Sequence, residues 1–197
     1  FSVNQQDLQK SLNYCQGVIE KRSTLPILSN VLLSANNSSL IITATDLDLI
    51  FINKIKNIEI IEEGTTTTSS SIMYDIIRKF TSGKKINLSL SNESKLQLES
   101  EKSIFHLNCI NSSEFPLTEE NFNQNEFSLK SKELLKLLNK CKFSVSNDET
   151  RHYLSGIYFH QTEVEDKNHL TAVATDSHRM SISKIRLGQK IDFDPII

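Results

Sequence analysis

Laid over itself at an offset of 126, the chain matches: FSVNQQDLQKSLNYCQGVI (1–19) over FSLKSKELLKLLNKCKFSV (127–145) agrees at seven of 19 positions, Cys15 with Cys141 among them. The same offset sets Leu28-Ser29 over Leu154-Ser155. After a slightly longer loop the offset becomes 130, and LIITATDLDLIFINKI (40–55) over LTAVATDSHRMSISKI (170–185) agrees at seven of 16. Two matches in the same order imply two copies of one folding unit, and each copy must bury the same apolar pattern. The seam is expected at 121–126, giving a first unit of 1–121 and a second starting at 127. The second copy holds 71 residues, so everything equivalent to about 68–126 is expected to lie beyond Ile197.

The unit reads as α+β. A strand at Phe1 to Val3 leads to a helix from about Asp7, with Leu8, Leu12, Cys15 and Ile19 on one stripe. Val31 to Leu33, Leu40 to Thr43 and Asp48 to Ile55 read as strands between polar turns. A helix over Ser71 to Phe80 is expected to end at Gly83 as its C-cap, followed by strands at Ile86 to Leu90, Lys95 to Glu99 and Ile104 to Ile110. Few helices against a mainly antiparallel sheet is the expected architecture.

With 38% hydrophobic residues in 197, there is material for one large or two small cores. No apolar run approaches the roughly 18 residues that cross a membrane, and no secretory leader pattern is present. Three cysteines, Cys15, Cys109 and Cys141, without C-x-x-C spacing, argue against a disulfide framework or a zinc site and fit a reducing cytoplasm. Cys15 and Cys141 read as small core residues, and the N-x-S/T triplets as products of an Asn- and Ser-rich composition.

The charge is unevenly placed. Stretches 7–22, 72–85 and 130–142, taken as helical, hold 12 basic against 4 acidic residues, leaving 10 against 20 elsewhere. In the third, Lys132, Lys136 and Lys140 recur every four residues opposite a Leu134, Leu138, Cys141 stripe. Cationic helices on an acidic body suit a polyanion held through phosphates without sequence readout. No recognition-helix, zinc-finger or aromatic-platform motif accompanies them.

Asp176-Ser177-His178-Arg179 has the residue types of a catalytic site. A triad, however, needs its members to converge from separate segments, and neighbours along a turn diverge. The first copy has Leu47, Asp48 and Leu49 in place of Ser177, His178 and Arg179. What persists is Thr-Asp, which reads as a turn in which Asp46 and Asp176 accept backbone hydrogen bonds. A rival reading, a D-x-D metal-dependent phosphatase through Asp46 and Asp48, lacks a glycine-rich phosphate loop and βαβ alternation. A free-standing, non-specific DNA-binding protein is a third reading.

F-x-V-x-x-x-x-L at the start, R-S-T-L-P-I-L-S-N (22–30), T-A-T-D-L-D (43–48), E-F-P (114–116), R-H-Y-L-S-G (151–156) and V-A-T-D-S-H-R-M (173–180) together resemble the bacterial DNA polymerase III beta subunits, the replicative sliding clamps. The resemblance runs along the whole chain. It implies repeated clamp domains of helices against antiparallel sheets, the first complete, the second truncated and a third absent. It also implies a non-enzymatic, cytoplasmic processivity factor without cofactor or metal. Two three-domain crescents would close into a homodimeric ring around double-stranded DNA, helices lining the hole.

From the resemblance, Arg22, His152 and Tyr153 lie where such clamps touch DNA, joined by the helix cations Lys10, Arg78, Lys79, Lys132, Lys136 and Lys140. His152 stands where Tyr is common, and Asp148 where Gln is often found. Leu154, Thr175, Ser177, His178, Arg179 and Met180 fall in the cleft that takes short Gln/Leu/Phe-bearing peptides of the polymerase III alpha subunit, the clamp loader and repair polymerases. Ser177 replaces the usual Gly and Met180 the usual Leu. Phe105 and Leu107 match the edge strand that closes the ring.

Overall fold

The computed structural model describes residues 1–19, 24–92, 94–117, 127–188, 190–191, 193 and 195–197. Its internal contacts divide the chain into two compact units, Phe1–Glu119 and Glu120–Ile197.

In the first unit, β1 (Ser2–Asn4) runs straight into α1 (Gln5–Cys15). Asn4 turns the chain: its Oδ1 accepts the Gln6 amide at 2.9 Å, and Asp7 in the first turn faces the positive end of the helix dipole. Leu8, Ser11, Leu12 and Cys15 form the buried stripe. A 3-10 turn at Pro26–Ser29 leads to the meander β2 (Asn30–Asn36), β3 (Ser39–Thr45) and β4 (Ile50–Lys56). The order then repeats: β5 (Gly64–Ser69), α2 (Ser70–Ile77), and a second meander β6 (Lys85–Asn92), β7 (Lys95–Ser100) and β8 (Ser103–Ile110).

Each half-unit lends its first strand to the other half. β1 pairs with β6 and β5 with β2, giving one eight-stranded antiparallel sheet in the order β1-β6-β7-β8-β5-β2-β3-β4. The helices pack antiparallel. Gln5 at the start of α1 donates from Nε2 to the Ile77 carbonyl at 2.8 Å, and Gln16 past its end donates to Ser70 Oγ at 2.9 Å. Between helices and sheet lies the core, with Leu8, Leu12, Leu33, Leu40, Ile42, Met73, Ile77 and Leu98 fully buried.

The two halves of the sheet meet where β5 pairs with β8, and the ladder there holds two residue pairs, Thr67 with Ile110 and Thr68 with Cys109. Threonine hydroxyls extend it. Thr67 Oγ1 donates to the Ile110 carbonyl at 2.7 Å and accepts from Asn30 Nδ2 at 3.2 Å, while Thr68 Oγ1 donates to the Asn108 carbonyl at 3.0 Å. Both threonines are buried. β-branching suits them to a strand, yet TTTTS has no apolar alternation, which is why the sequence reading leaves β5 out.

In the second unit, α3 (Ser131–Cys141) is followed by 3-10 turns at Lys142–Ser144 and Glu149–Leu154, then β9 (Tyr158–Val164), β10 (Lys167–Thr175) and β11 (Met180–Arg186) in a sheet ordered β11-β10-β9. The repeat holds residue by residue in the hairpin. Leu40 faces Ile55 as Leu170 faces Ile185, and Thr45 faces Ile50 as Thr175 faces Met180. Burial follows: Leu40, Ala44 and Ile55 are buried like Leu170, Ala174 and Ile185, whereas Ile52 and Ile182 are 50% and 54% exposed.

The helices agree less well. Leu8 is buried but its counterpart Leu134 is 38% exposed, and the buried residues of α3 are Leu137 and Cys141. The expected Leu134, Leu138, Cys141 stripe is therefore corrected: α1 is covered by α2, and among the described residues of the second unit no second α-helix covers α3. The expected C-cap at Gly83 is also corrected. α2 stops at Ile77 with Arg78 capping in the right-handed region, and Gly83, at φ +79°, serves the turn into β6.

Thr67→Val keeps the shape of the seam but leaves the Asn30 amide short of its acceptor and the Ile110 carbonyl short of a donor. A loss of about 1–3 kcal/mol is expected, read from urea unfolding of the intact protein; a loss under about 0.5 kcal/mol, the usual range of inconsequential surface changes, rejects the seam's importance.

Candidate functional site

The helix boundaries redistribute the positive charge. Within the helices the basic residues are Lys10 on α1 and Lys132, Lys136 and Lys140 on α3, against Asp7, Asp75 and Glu133. Arg78, Lys79, Lys130 and Lys142 flank them. Lys84 and Lys85, counted with the second helix in the sequence, lie outside it and pair with Glu101 at 3.5 Å and Glu59 at 2.6 Å. Arg78 pairs with Asp75 at 3.1 Å. The cationic face is thus concentrated on α3, whose three lysines are all exposed. Lys10 and Lys79 are also exposed, and Arg22 lies outside the described residues.

A second constellation is built on the β10–β11 turn. Asp176 Oδ1 accepts the amides of His178 at 3.0 Å and Arg179 at 2.9 Å, and its Oδ2 accepts from Arg179 Nε at 2.9 Å. Thr175 Oγ1 accepts the Ser177 amide at 3.1 Å and donates to the Arg179 carbonyl at 2.8 Å. The first unit builds the same turn: Asp46 Oδ1 accepts the amides of Asp48 at 3.0 Å and Leu49 at 2.7 Å, and Thr45 Oγ1 accepts that of Leu47 at 3.0 Å. In both copies the aspartate is committed to backbone donors rather than turned outward as a base. The amides of Arg179 and then His178 hold the Asp176 carboxyl below the usual carboxylate range.

The middle residue of each turn is left-handed, Leu47 at φ +85° and Ser177 at φ +75°. Neither is glycine, so each carries backbone strain of order 1 kcal/mol. At Ser177 the strain comes with a contact. Its Oγ accepts from Arg151 Nη1 at 2.8 Å, and Arg151 Nε reaches Asp148 Oδ2 at 2.8 Å. Arg151 is itself irregular, at φ −118° and ψ 54° inside the 149–154 turn. One charge-assisted bond thus ties an irregular turn to a left-handed one 26 residues on.

The face so fixed presents Met180, 64% exposed, and half-buried Leu154, with Arg179 lying over the Phe143 ring at 5.6 Å. His152 and Tyr153 are exposed beside it, their rings edge to face at 5.9 Å. Sequence reasoning found Met180, Leu154, Arg179, His152 and Tyr153 but missed Phe143, and missed Arg151 and Asp148 as their support; an Asp three residues before an Arg in a polar turn is the signal available.

The third element is β8. Among the described residues, 103–107 pair with β7 alone, so one side of that stretch is an open edge. Phe105 is 41% exposed and packs on Phe80 at 5.7 Å between ring centres. Leu107 is 6% exposed and belongs to the core, so the two expected edge residues divide into one at the margin and one inside. Cys15 and Cys141 are buried, and burial pushes both thiols up, Cys15 to about 12, leaving them protonated packing groups.

Two family profiles match the chain: DNA polymerase III beta subunit, N-terminal domain, over residues 1–119, and the central domain of the same subunit over 128–196. The beta sliding clamp of Caulobacter vibrioides is 34% identical over 187 residues, covering 94% of this chain and 50% of the relative. That of Escherichia coli K12 is 32% identical over 197 residues, covering 100% and 52%. Among solved structures, the Caulobacter crescentus beta sliding clamp with bound polyethylene glycol superposes at a TM-score of 0.93 and 32% identity, over 100% of this chain and 52% of that one. A Bartonella birtlesii sliding clamp bound to griselimycin superposes at 0.89 and 36%, over 94% and 49%. The chain spans about half the length of the relatives it matches.

The Asp148 carboxyl, held down to about 2 by the Thr150 hydroxyl first and Arg151 next, titrates below its unfolded value. It therefore supports the fold at neutral pH, and that support is lost as pH falls through about 2. A carboxyl NMR titration is expected to find this midpoint and to see it rise in Thr150→Val; a midpoint at the ordinary carboxylate value overturns the arrangement.

Proposed function

The chain belongs to the DNA polymerase III beta subunit family, and from that premise we propose that the protein containing it is a replication processivity factor, a ring that encircles duplex DNA and tethers the replicative polymerase. The observation that carries this reading is the pair of profile matches, N-terminal then central domain, in the order and spacing of the internal repeat.

The mechanism is topological and needs no catalytic residue. Tight base contacts would arrest sliding, whereas a few exposed lysines against phosphate give weak, salt-dependent attraction without register. Lys132, Lys136 and Lys140, one turn apart along α3, would follow the duplex backbone, with Lys10, Arg78, Lys79, His152, Tyr153 and Arg22 as further contacts. Arg78 contributes least while it pairs with Asp75. Asp148 caps its own turn and holds Arg151, and so serves the fold rather than DNA.

Leu154, Thr175, Ser177, His178, Arg179 and Met180 would dock short Gln/Leu/Phe-bearing peptides from the polymerase III alpha subunit, the clamp loader and repair polymerases. An exposed methionine adapts to differing apolar anchors, and the Arg151–Ser177 bond presets the turn before a peptide arrives, which lowers the ordering cost of binding. The open edge of β8, with Phe105 beside it, would close a homodimeric ring. The site of action is the cytoplasm.

Two measurements test the reading. The intact protein, loaded by its clamp loader onto nicked circular DNA, is expected to stay on circles through a sizing column and to leave once they are linearised; retention after linearisation means direct binding and rejects a topological mechanism. Replacing Lys132, Lys136 and Lys140 together by Gln is expected to reduce the salt dependence of residual DNA binding, the slope falling by up to about 3. An unchanged slope removes α3 from the DNA-facing surface.

A further inference from the structure

The repeat places a cavity where the first unit has no assigned role. A cavity of about 310 Å³ is lined by residues 25–27, Leu47, Ile110, Pro116 and Glu114, all within the first unit. Under the offsets of the repeat, 25–27 correspond to 151–153 and Leu47 to Ser177. The cavity is therefore the first-unit counterpart of the face between the 149–154 and 175–180 turns, built on the same Thr-Asp turn with the same left-handed residue.

We infer that this cavity is a second docking site, one that takes a leucine or phenylalanine side chain of a short basic peptide. The chemistry differs from that of the second unit at three corresponding positions. Arg151, Ser177 and Arg179 there are Leu25, Leu47 and Leu49 here, exposed by 49%, 53% and 60%. Leu47 is costly twice, holding a left-handed backbone that branched side chains resist and placing half its surface in water. Among the described residues neither cost is repaid inside the unit, and clustered exposed leucines beside a cavity mark an interaction surface. Its charge selects the ligand. Glu114 lines the rim and Asp48 stands exposed on the turn beside it, so phosphate is repelled and a Lys or Arg next to the apolar anchor is attracted. Acidic peptides are disfavoured on the same ground.

The inference rests on the docking reading of the second unit for its analogy, and the test separates the two. The intact protein is titrated with a fluorescein-labelled peptide Gly-Lys-Leu-Phe-Lys-Gly and, in parallel, with a peptide carrying Gln, Leu and Phe. Leu47→Asn keeps a residue that tolerates positive φ while removing the apolar wall, and is expected to weaken the basic peptide at least about fivefold. Glu114→Gln, a surface change checked by an unaltered melting temperature, is expected to weaken it at least about twofold at low salt. Met180→Ala is expected to spare it and to weaken the Gln/Leu/Phe peptide. Binding of the basic peptide with no response to Leu47→Asn or Glu114→Gln overturns the inference, as does loss of its binding in Met180→Ala, which places it at the second-unit face. Absence of binding in the parent protein overturns it too. So does sedimentation showing that Leu47→Asn abolishes self-association, because the occupant is then a second copy. Failure of the Gln/Leu/Phe peptide alone sinks the docking reading of the second unit and leaves this one standing.

Discussion

An eight-stranded sheet joined across a ladder two residue pairs wide depends on what fills the rest of that joint. Here it is the hydroxyls of Thr67 and Thr68, each bonded to a carbonyl of β8. Buried carbonyls left open at this point would cost more than the few ladder bonds return. With the joint closed, the two half-units share one sheet, their helices lie side by side on it, and one core serves both. The surfaces of the first unit inherit their positions from that sheet: its Thr-Asp turn closes the β3–β4 hairpin, and among the described residues β8 keeps a free edge because the joint occupies only its last residues.

How much of this could be read from the residues follows from the range of the interactions. The hairpin of residues 40–55 and its copy at 170–185 were legible because side-chain alternation and the Thr-Asp turn are local, and both copies keep the same register. β5 was not, because TTTTS becomes a strand through a backbone ladder with β2 and hydroxyl partners on β8 about 40 residues away, neither of which its own pattern reveals. The α3 stripe was misjudged for a related reason. Which leucines of a helix are buried depends on whether a second helix lies beside it, and sequence periodicity does not reveal the neighbour. The charge count suffered from helix ends set too far out, which brought in Lys84 and Lys85 before their acidic partners were visible.

The candidate sites divide in the same way. Met180, Leu154 and the turn residues were found by motif, and the geometry adds the Arg151 link that the motif does not announce. Phe105 and Leu107 alternate as an edge strand should, but alternation places both on one face, and that face points toward the core. The margin of the core, rather than the strand itself, decides that Phe105 is reachable and Leu107 is not.

Two hairpins of identical register in one chain create a hazard during folding, since either could settle on the other's helix. The core leucines would not object, being nearly interchangeable. The polar contacts would. Asn53 on β4 donates to Ser11 on α1, whereas Ser181 on β11 shares a 2.6 Å hydrogen bond with Ser144 after α3. A hairpin on the wrong helix leaves an amide against Leu137, the counterpart of Ser11, or a hydroxyl with no partner in a dry interior, at a cost of about 1–3 kcal/mol for each. These modest side-chain bonds thus act as proofreading marks, telling each copy of a duplicated unit which helix is its own.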